Sequence, residues 1–199
     1  EIVLKIIKKI QNIMKAHGIK VDIGIDIAAS SFFNIYSRKY NYKNLRKELN
    51  SKEQINYISG IIKKYNLFYV EDPLNENDFL GFRELLKKVK KFNKNCLIVG
   101  DDLTTTNPNR LKLAIKNKSI NAIIIKPNQI GSLLKVREVI DLAKKNKIKT
   151  IISHRSGETL DDTIADLAIA WNCNFIKTGI YGKVREVKLK RLIDIEKKL

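Results

Sequence analysis

The chain has 199 residues, of which 44% are hydrophobic, and it lacks Gly-, Pro- or Ser-rich stretches, which is typical of one globular domain without a linker. No apolar run is long enough to span a bilayer, and the N-terminus lacks the layout of a signal peptide, so we expect a cytoplasmic protein without a membrane partner. The net charge of +18 would suit a nucleic-acid partner, but the lysines are spread over every predicted helix without interleaved aromatic residues, which favours solvated helix faces.

The first predicted element is an amphipathic helix, because apolar residues recur at helical spacing over residues 2–14. We expect this stripe to pack on its own domain, and a helix lying on a membrane surface is the alternative. A short strand is predicted over residues 21–26, followed by an irregular aromatic segment that ends at Tyr42. A second helix is predicted over residues 51–64, with Ser51 as its N-cap candidate.

From residue 66 onward, short apolar segments alternate regularly with helical patterns. The predicted elements are a strand at 67–71, a helix at 79–89, a strand at 96–101, a helix opened by Asn107-Pro108, a strand at 121–126, a helix at 132–145, a strand at 150–153, a helix at 159–171 with Thr159 and Asp162 at capping-box spacing, a strand at 174–177 and a basic helix to Leu199. This alternation predicts a parallel sheet with helices outside it.

Two closures of such a sheet are possible. An open doubly wound sheet should carry a Gly-rich phosphate turn after its first strand, and Asp26-Ile27-Ala28-Ala29 is not one. A (β/α)₈ barrel instead places its chemistry at the C-terminal ends of many strands. Six strand–helix units are too few to close eight strands, so we predict an α/β fold that is an incomplete TIM-type barrel, with six βα units preceded by a helix over residues 1–199.

Polar or ionisable residues stand at the C-terminal end of every predicted strand. They are Asp26, Glu71, Asp101, Lys126, Ser153 with His154, and Lys177. Helix caps and turn formers could explain one aspartate, but they do not explain three carboxylates and two lysines at the ends of apolar strands. The set therefore predicts an active site on one rim of the barrel.

The carboxylates Asp26, Glu71 and Asp101 come from three successive strands and would converge on one point of that rim. Clustered carboxylates repel one another unless a cation lies among them, and an all-oxygen ligand set suits Mg²⁺. The sequence therefore predicts a magnesium site at these three residues.

The buried strand predicted at residues 121–126 ends in Lys126, and Pro127 cannot continue it. Beside a divalent ion and Lys177, Lys126 is a candidate general base. Arg155 and Ser156 offer a guanidinium fork and a hydroxyl that can hold a phosphate or a carboxylate. Together these residues indicate proton abstraction next to a carboxylate, with the enolate stabilised by the metal.

Six segments of the chain, in order, resemble the barrel domain of the enolase family. They are Gly24–Ser30, Val70–Leu74 with Asn77–Phe79, Gly100–Thr104, Lys126–Ser132, Ser153–Thr159 and Lys177–Gly179. The resemblance covers nearly the whole length, and the serine-to-threonine segment separates enolase from other acid-abstracting barrels of its superfamily.

The resemblance implies a role for each rim residue. Asp26, Glu71 and Asp101 would bind the catalytic Mg²⁺, and Lys126 would remove the proton from carbon 2 of 2-phosphoglycerate. The implied substrate-binding residues are Ser153, His154, Arg155 and Ser156, with Arg155 and Ser156 at the phosphate, and Lys177 facing the carboxylate.

The resemblance does not extend to all parts of an enolase. The family has a small N-terminal lid domain and first barrel strands with a Gly-Asp-Glu-Gly-Gly segment, whose glutamate helps protonate the leaving hydroxyl. This chain begins at Glu1, about where the following helix would begin. A second departure follows Gly179, where enolases have an Arg-x-Glu-Arg-like segment and this chain has Lys183-Val184-Arg185-Glu186. The contacts that this segment makes in the family, at the dimer interface for example, are therefore not expected to be the same here.

The resemblance thus implies the C-terminal part of an enolase, a hydro-lyase that dehydrates 2-phosphoglycerate to phosphoenolpyruvate in glycolysis and gluconeogenesis with Mg²⁺. We expect this chain to be inactive without an N-terminal enolase segment or chain. A homodimer is the expected state of the complete enzyme. The alternative is a decayed enolase that serves as a non-catalytic basic binding module, with nucleic acid as a partner. Cys96 and Cys173 match no metal or redox spacing and are expected to be reduced core residues.

Overall fold

The computed structural model describes residues 1–198. The elements in chain order are α1 (Ile2–Ala16), β1 (Gly24–Asp26), β2 (Phe33–Asn34), β3 (Lys39–Tyr42), β4 (Lys47–Leu49), α2 (Ser51–Tyr65), β5 (Tyr69–Glu71), α3 (Phe79–Lys90), β6 (Leu97–Gly100), α4 (Pro108–Asn117), β7 (Ala122–Ile125), α5 (Pro127–Ile130), α6 (Leu133–Lys145), β8 (Lys149–Ser153), α7 (Thr163–Ala170), β9 (Phe175–Lys177) and α8 (Lys183–Glu196). None of the helices in these 198 residues has the length and apolarity needed to cross a membrane.

The described chain divides into two compact units. The first comprises Glu1–Leu103 and Ala114–Asn121, and the second comprises Thr104–Leu113 and the residues from Ala122 onward. No change of composition marks this boundary in the sequence. Each unit contains three of the six predicted parallel strands, so the predicted strand–helix alternation is confirmed.

The first unit holds the parallel strands β1, β5 and β6, in that order. Ile25 pairs with Val70, and Val70 pairs with Ile98. Val70 and Ile98 are fully buried, as expected of short parallel strands that are covered on both faces. The capping box of α2 is formed by Asn50 and Glu53, so the predicted N-cap, Ser51, is instead the first residue of the helix.

Two strands of a small antiparallel sheet, β2 and β3, lie in the segment up to Tyr42 that was expected to be irregular, and the third strand, β4, follows that segment. That prediction was wrong because the strands are only two to four residues long, which is too short for a clear alternation, and contacts such as that between the rings of Phe33 and Tyr40 link β2 to β3. Tyr40 pairs with Phe33 and Leu49, and its ring is fully buried. The hydroxyl of Tyr40 accepts a hydrogen bond from the backbone N–H of Asn75 at 2.9 Å, which joins this sheet to the loop after β5.

The second unit holds the parallel strands β7, β8 and β9, in that order. Every residue of β7 is buried, and its partner β8 is buried from Thr150 onward. The helix α7 begins at Thr163, four residues later than predicted. The predicted capping box does not form, because the hydroxyl of Thr159 accepts from the backbone N–H of Asp161 at 3.2 Å in the loop before the helix.

The apolar stripe of α1 is largely exposed, although it was expected to pack on its own domain. Its exposed fractions are 77% for Ile2, 66% for Val3, 53% for Ile6, 52% for Ile10 and 58% for Ile13. Leu4 is the buried residue of this helix. Within the residues that the structure describes, the expectation was therefore wrong, because too little of the neighbouring chain lies against this face.

The strands at the two ends of the chain have open edges. In the part of the chain that the structure describes, β1 pairs with β5 alone, and β9 pairs with β8 alone. Both open edges were expected from a barrel with too few strands to close. Both cysteines are free, with Cys96 buried and Cys173 half-buried.

Candidate active site

The first unit brings three carboxylates together at the C-terminal ends of β5 and β6. Each of Glu71, Asp72 and Asp101 offers an oxygen within 4.8 Å of the other two, and all three residues are buried. Glu71 is the last residue of β5, and Asp101 directly follows β6. Because the two strands are parallel neighbours, their carboxyl ends meet at one edge of the sheet.

Asp72 belongs to this group, although it was not among the metal ligands predicted from the sequence. Its Oδ1 accepts from the backbone N–H of Asp101 at 3.1 Å, and its Oδ2 accepts from that of Asp102 at 2.7 Å. Burial raises the pKa of Asp72 to about 7, even though the two N–H donors favour its charged form. Asp72 therefore holds the turn that carries Asp101, and its position after a strand-ending glutamate was the available signal.

Asp26, the third predicted metal ligand, lies one strand away from this group. It pairs in register with Glu71 at the end of β1. Its side chain is exposed, and its Oδ1 accepts from the backbone N–H of Ala28 at 3.1 Å. Asp26 thus stands on the same sheet edge as Glu71 but outside the 4.8 Å group, and its role as a ligand stays a prediction.

A tyrosine on β5 holds the side chain of Glu71. The hydroxyl of Tyr69 donates a hydrogen bond to Oε2 of Glu71. Burial raises the pKa of Tyr69, and the neighbouring negative charge of Glu71 raises it further, so the phenol remains a donor. Gly24 pairs with Tyr69 across the sheet, and a Cβ there would lie 3.0 Å from Cβ of Tyr69, which explains a glycine inside β1.

The composition of this group fits a divalent cation. Three buried carboxylates at this spacing repel one another and are costly to bury in their charged forms unless a cation neutralises them. All of their donor atoms are oxygens, which is the ligand type that Mg²⁺ prefers over nitrogen and sulfur.

In the second unit, Lys126 follows the fully buried strand β7, as predicted, and is half-buried. Its backbone N–H donates to Oγ1 of Thr106 at 2.9 Å, and that hydroxyl donates to Oε1 of Gln129 at 2.8 Å. Thr106 is itself fully buried. The end of β7 is therefore held by a threonine that was not predicted from the sequence, because Thr106 and Lys126 come together only on folding.

The predicted substrate segment, residues 153–156, lies at the end of β8 in the same unit. Ser153 pairs in register with Lys177, and the backbone N–H of His154 donates to the carbonyl of Lys177 at 3.1 Å. Arg155 and Ser156 are exposed, and Nη1 of Arg155 donates to Oδ1 of Asn128 at 3.0 Å. The fold thus places all five predicted substrate-binding residues on two adjacent strand ends.

The segment after Gly179 supplies a contact that the sequence did not predict. Nη1 of Arg185 contacts both ring nitrogens of His154, at 3.1 Å for Nε2 and closer for Nδ1. Burial lowers the pKa of His154, and the positive charge of Arg185 lowers it further, which keeps the imidazole neutral at physiological pH. Glu186 accepts from the backbone N–H of Gly182 at 3.1 Å and so holds the start of α8.

A known protein family matches nearly the whole chain. The family described as "Enolase, C-terminal TIM barrel domain" matches residues 2–199. The chain belongs to the enolase family. This confirms the resemblance and the incomplete TIM-type barrel that were predicted from the sequence.

Relatives named enolase match the chain over most of its length. The enolase of Methanocorpusculum labreanum is 48% identical over 90% of this chain and 44% of its own length. That of Methanosphaera stadtmanae is 48% identical over 92% of this chain and 43% of its own length. That of Thermoplasma acidophilum is 41% identical over 98% of this chain and 46% of its own length. This enolase-family chain therefore spans less than half the length of these curated relatives.

Proposed function

We propose that this chain supplies the metal ligands, the general base and the phosphate-binding loop of an enolase that dehydrates 2-phosphoglycerate to phosphoenolpyruvate. The observation that carries the proposal is the match of residues 2–199 to the enolase barrel, together with the buried carboxylate group at the ends of β5 and β6.

In this proposal Glu71 and Asp101, with Asp26 from the neighbouring strand, hold Mg²⁺. The bound ion would supply positive charge where the enolate develops. Tyr69 and Asp72 keep Glu71 and the Asp101 turn in place through their hydrogen bonds. Both supporting residues lie in the same unit as the ligands, so the metal site is built within one compact part of the chain.

Lys126 is the proposed general base, which takes the proton from carbon 2 of the substrate. The strand β7 and the hydroxyl of Thr106 hold the backbone of Lys126, which limits the positions that its amine can reach. The exposed side chains of Arg155 and Ser156 are the proposed phosphate ligands, with Ser153 and His154 beside them and Lys177 at the substrate carboxylate.

The complete reaction also needs a group that protonates the hydroxyl leaving carbon 3. We assign that proton donor to the part of enolase that the relatives have and this chain does not cover, since the chain spans 43–46% of their length. A cytoplasmic homodimer of the complete enzyme is part of the same proposal.

The test is a measurement of phosphoenolpyruvate formation by the complete enzyme, in which this chain is joined or mixed with the remaining enolase part. We expect absorbance from phosphoenolpyruvate to appear with 2-phosphoglycerate and Mg²⁺, and to disappear when the metal is chelated. If the two parts form a stable complex but produce no phosphoenolpyruvate, the proposal fails.

A second candidate function rests on the net charge of +18, which would favour a basic binding module. In that case the chain should bind nucleic acid with an affinity that falls steeply as salt concentration rises. Filter binding at several salt concentrations separates the two functions, because the dehydration of 2-phosphoglycerate does not require such binding.

A further inference from the structure

A fully buried lysine on α8 contacts the loop that carries the proposed phosphate ligands. Lys188 has no solvent exposure, and its Nζ lies 2.8 Å from Oε2 of Glu158. The same ammonium donates to the backbone carbonyls of Thr159 and Val184, both at 2.7 Å. These three acceptors match the three protons of a lysine ammonium.

Glu158 connects this ammonium to Arg155. Its Oε1 accepts from the backbone N–H of Arg155 at 2.9 Å, while its Oε2 pairs with Lys188. Burial alone would raise the pKa of Glu158, but the Arg155 N–H and the charge and hydrogen bond of Lys188 outweigh burial and lower it. The glutamate is therefore charged at neutral pH, and residues 155–159 are held at both ends.

Docking of α8 does not by itself explain a buried ammonium. Burying a charge is unfavourable unless it is paired, and apolar side chains dock a helix without that penalty. The helix α8 also has a second ion pair, in which Arg191 contacts both carboxylate oxygens of Asp166 on α7, with its shortest distance at 2.6 Å. That pair is partly exposed and does not involve residues 153–159.

We propose that Lys188 is a positioning residue for the phosphate-binding loop. Acting through Glu158, it fixes the backbone of Arg155, so that the guanidinium of Arg155 and the hydroxyl of Ser156 are arranged before the anion arrives. The identity of that anion, the phosphate of 2-phosphoglycerate, rests on the proposed function. The positioning itself rests on the contacts of Lys188 and Glu158.

The kinetic test compares Lys188→Met and Glu158→Gln with the control Arg191→Met in the complete enzyme. We expect the first two variants to raise the KM for 2-phosphoglycerate about tenfold, with kcat within about threefold of wild type, because lost preorganisation weakens substrate binding. Arg191→Met also removes an ion pair of α8 but should leave both constants unchanged.

A second readout does not depend on catalysis. Amide hydrogen exchange measured by NMR should become about tenfold faster at the Arg155 N–H in both variants, because local opening of a loop is what exchange reports. Exchange within β8 should not change, and Arg191→Met should not affect the Arg155 amide. Titration with inorganic phosphate should show weaker binding to both variants than to wild type.

The outcomes separate the two proposals. Faster exchange at Arg155 with weaker phosphate binding, in an enzyme that produces no phosphoenolpyruvate, would refute the proposed function and leave the positioning role supported. Unchanged exchange and phosphate affinity in Lys188→Met would overturn the positioning role, whatever the activity. If Lys188→Met does not fold, Glu158→Gln decides, because it keeps the shape of the side chain while removing the charge that pairs with Lys188.

Discussion

At the scale of single residues, surroundings decide how each ionisable group behaves. Asp72 and Glu158 are both carboxylates shielded from solvent, yet burial raises the pKa of Asp72 to about 7, whereas the lysine partner and an N–H donor lower that of Glu158. The difference arises mainly because Asp72 is more deeply buried than Glu158, and also because Asp72 faces other carboxylates while Glu158 faces an ammonium. Residue type alone therefore does not determine the charge state of a carboxylate.

The imidazole of His154 should respond to removal of its cationic neighbour. In Arg185→Met we expect the pKa of His154 to rise toward its ordinary value of 6.5, because one of the two main causes of its lowering is removed while burial remains. NMR titration of the imidazole measures this directly. Arg191→Met is the matched control, since Arg191 pairs with Asp166, and an equal shift there would contradict the assignment.

Lys126→Ala tests the proposed general base. In the complete enzyme we expect kcat to fall by about 10²–10⁴-fold, the contribution typical of a positioned base, while Mg²⁺ affinity stays largely intact. Turnover and calorimetric Mg²⁺ binding measure the two properties. Lys135→Ala, which changes an exposed lysine on α6, is the control, and retained turnover in Lys126→Ala would overturn its role.

At the scale of elements, helix starts depend on which side chain meets the first turn. The side chain of Asn50 accepts from the N–H of Glu53 at 3.0 Å, and that of Glu53 accepts from the N–H of Asn50 at 2.8 Å. Ser132 occupies the N-cap of α6 without such a bond. Both are residue types that favour N-caps and both have an extended backbone, so neither residue type nor backbone class decides which one caps by its side chain.

Asn50→Ala should therefore weaken the first turn of α2. We expect the free energy of local opening at this turn to fall by about 1 kcal/mol, because one hydrogen bond of the capping box is lost. Native-state hydrogen exchange of the Glu53 amide provides the measurement. Ser132→Ala should change the first turn of α6 by less than about 0.5 kcal/mol, and equal effects in the two helices would contradict the difference in capping.

At the scale of the whole molecule, the chain exposes surfaces that globular proteins normally cover. The apolar stripe of α1 is exposed, and β1 and β9 each have one open edge among the described residues. The relatives contain more than twice the length that this chain matches. In the complete enzyme that we propose, these are the surfaces that the rest of the barrel would cover.

The 199-residue chain on its own should consequently be poorly soluble or loosely packed, because exposed apolar faces and open strand edges favour association with other chains. Size-exclusion chromatography and binding of an apolar dye measure both properties. Replacing Ile6 and Ile10 on α1 by lysine should increase the soluble fraction, since both are more than half exposed. Cooperative unfolding of the unmodified chain at an ordinary temperature would count against this prediction.

The sequence by itself determined the strand–helix alternation, the ionisable residues at the strand ends and the family. Hydrophobic periodicity and local motifs are properties of neighbouring residues, so they can be recognised without the fold. Only the tertiary structure decided that Asp72 joins Glu71 and Asp101, that Thr106 holds the Lys126 backbone and that Lys188 reaches Glu158. These contacts join residues about 20 to 30 positions apart, and they arise from packing, which no local spacing encodes.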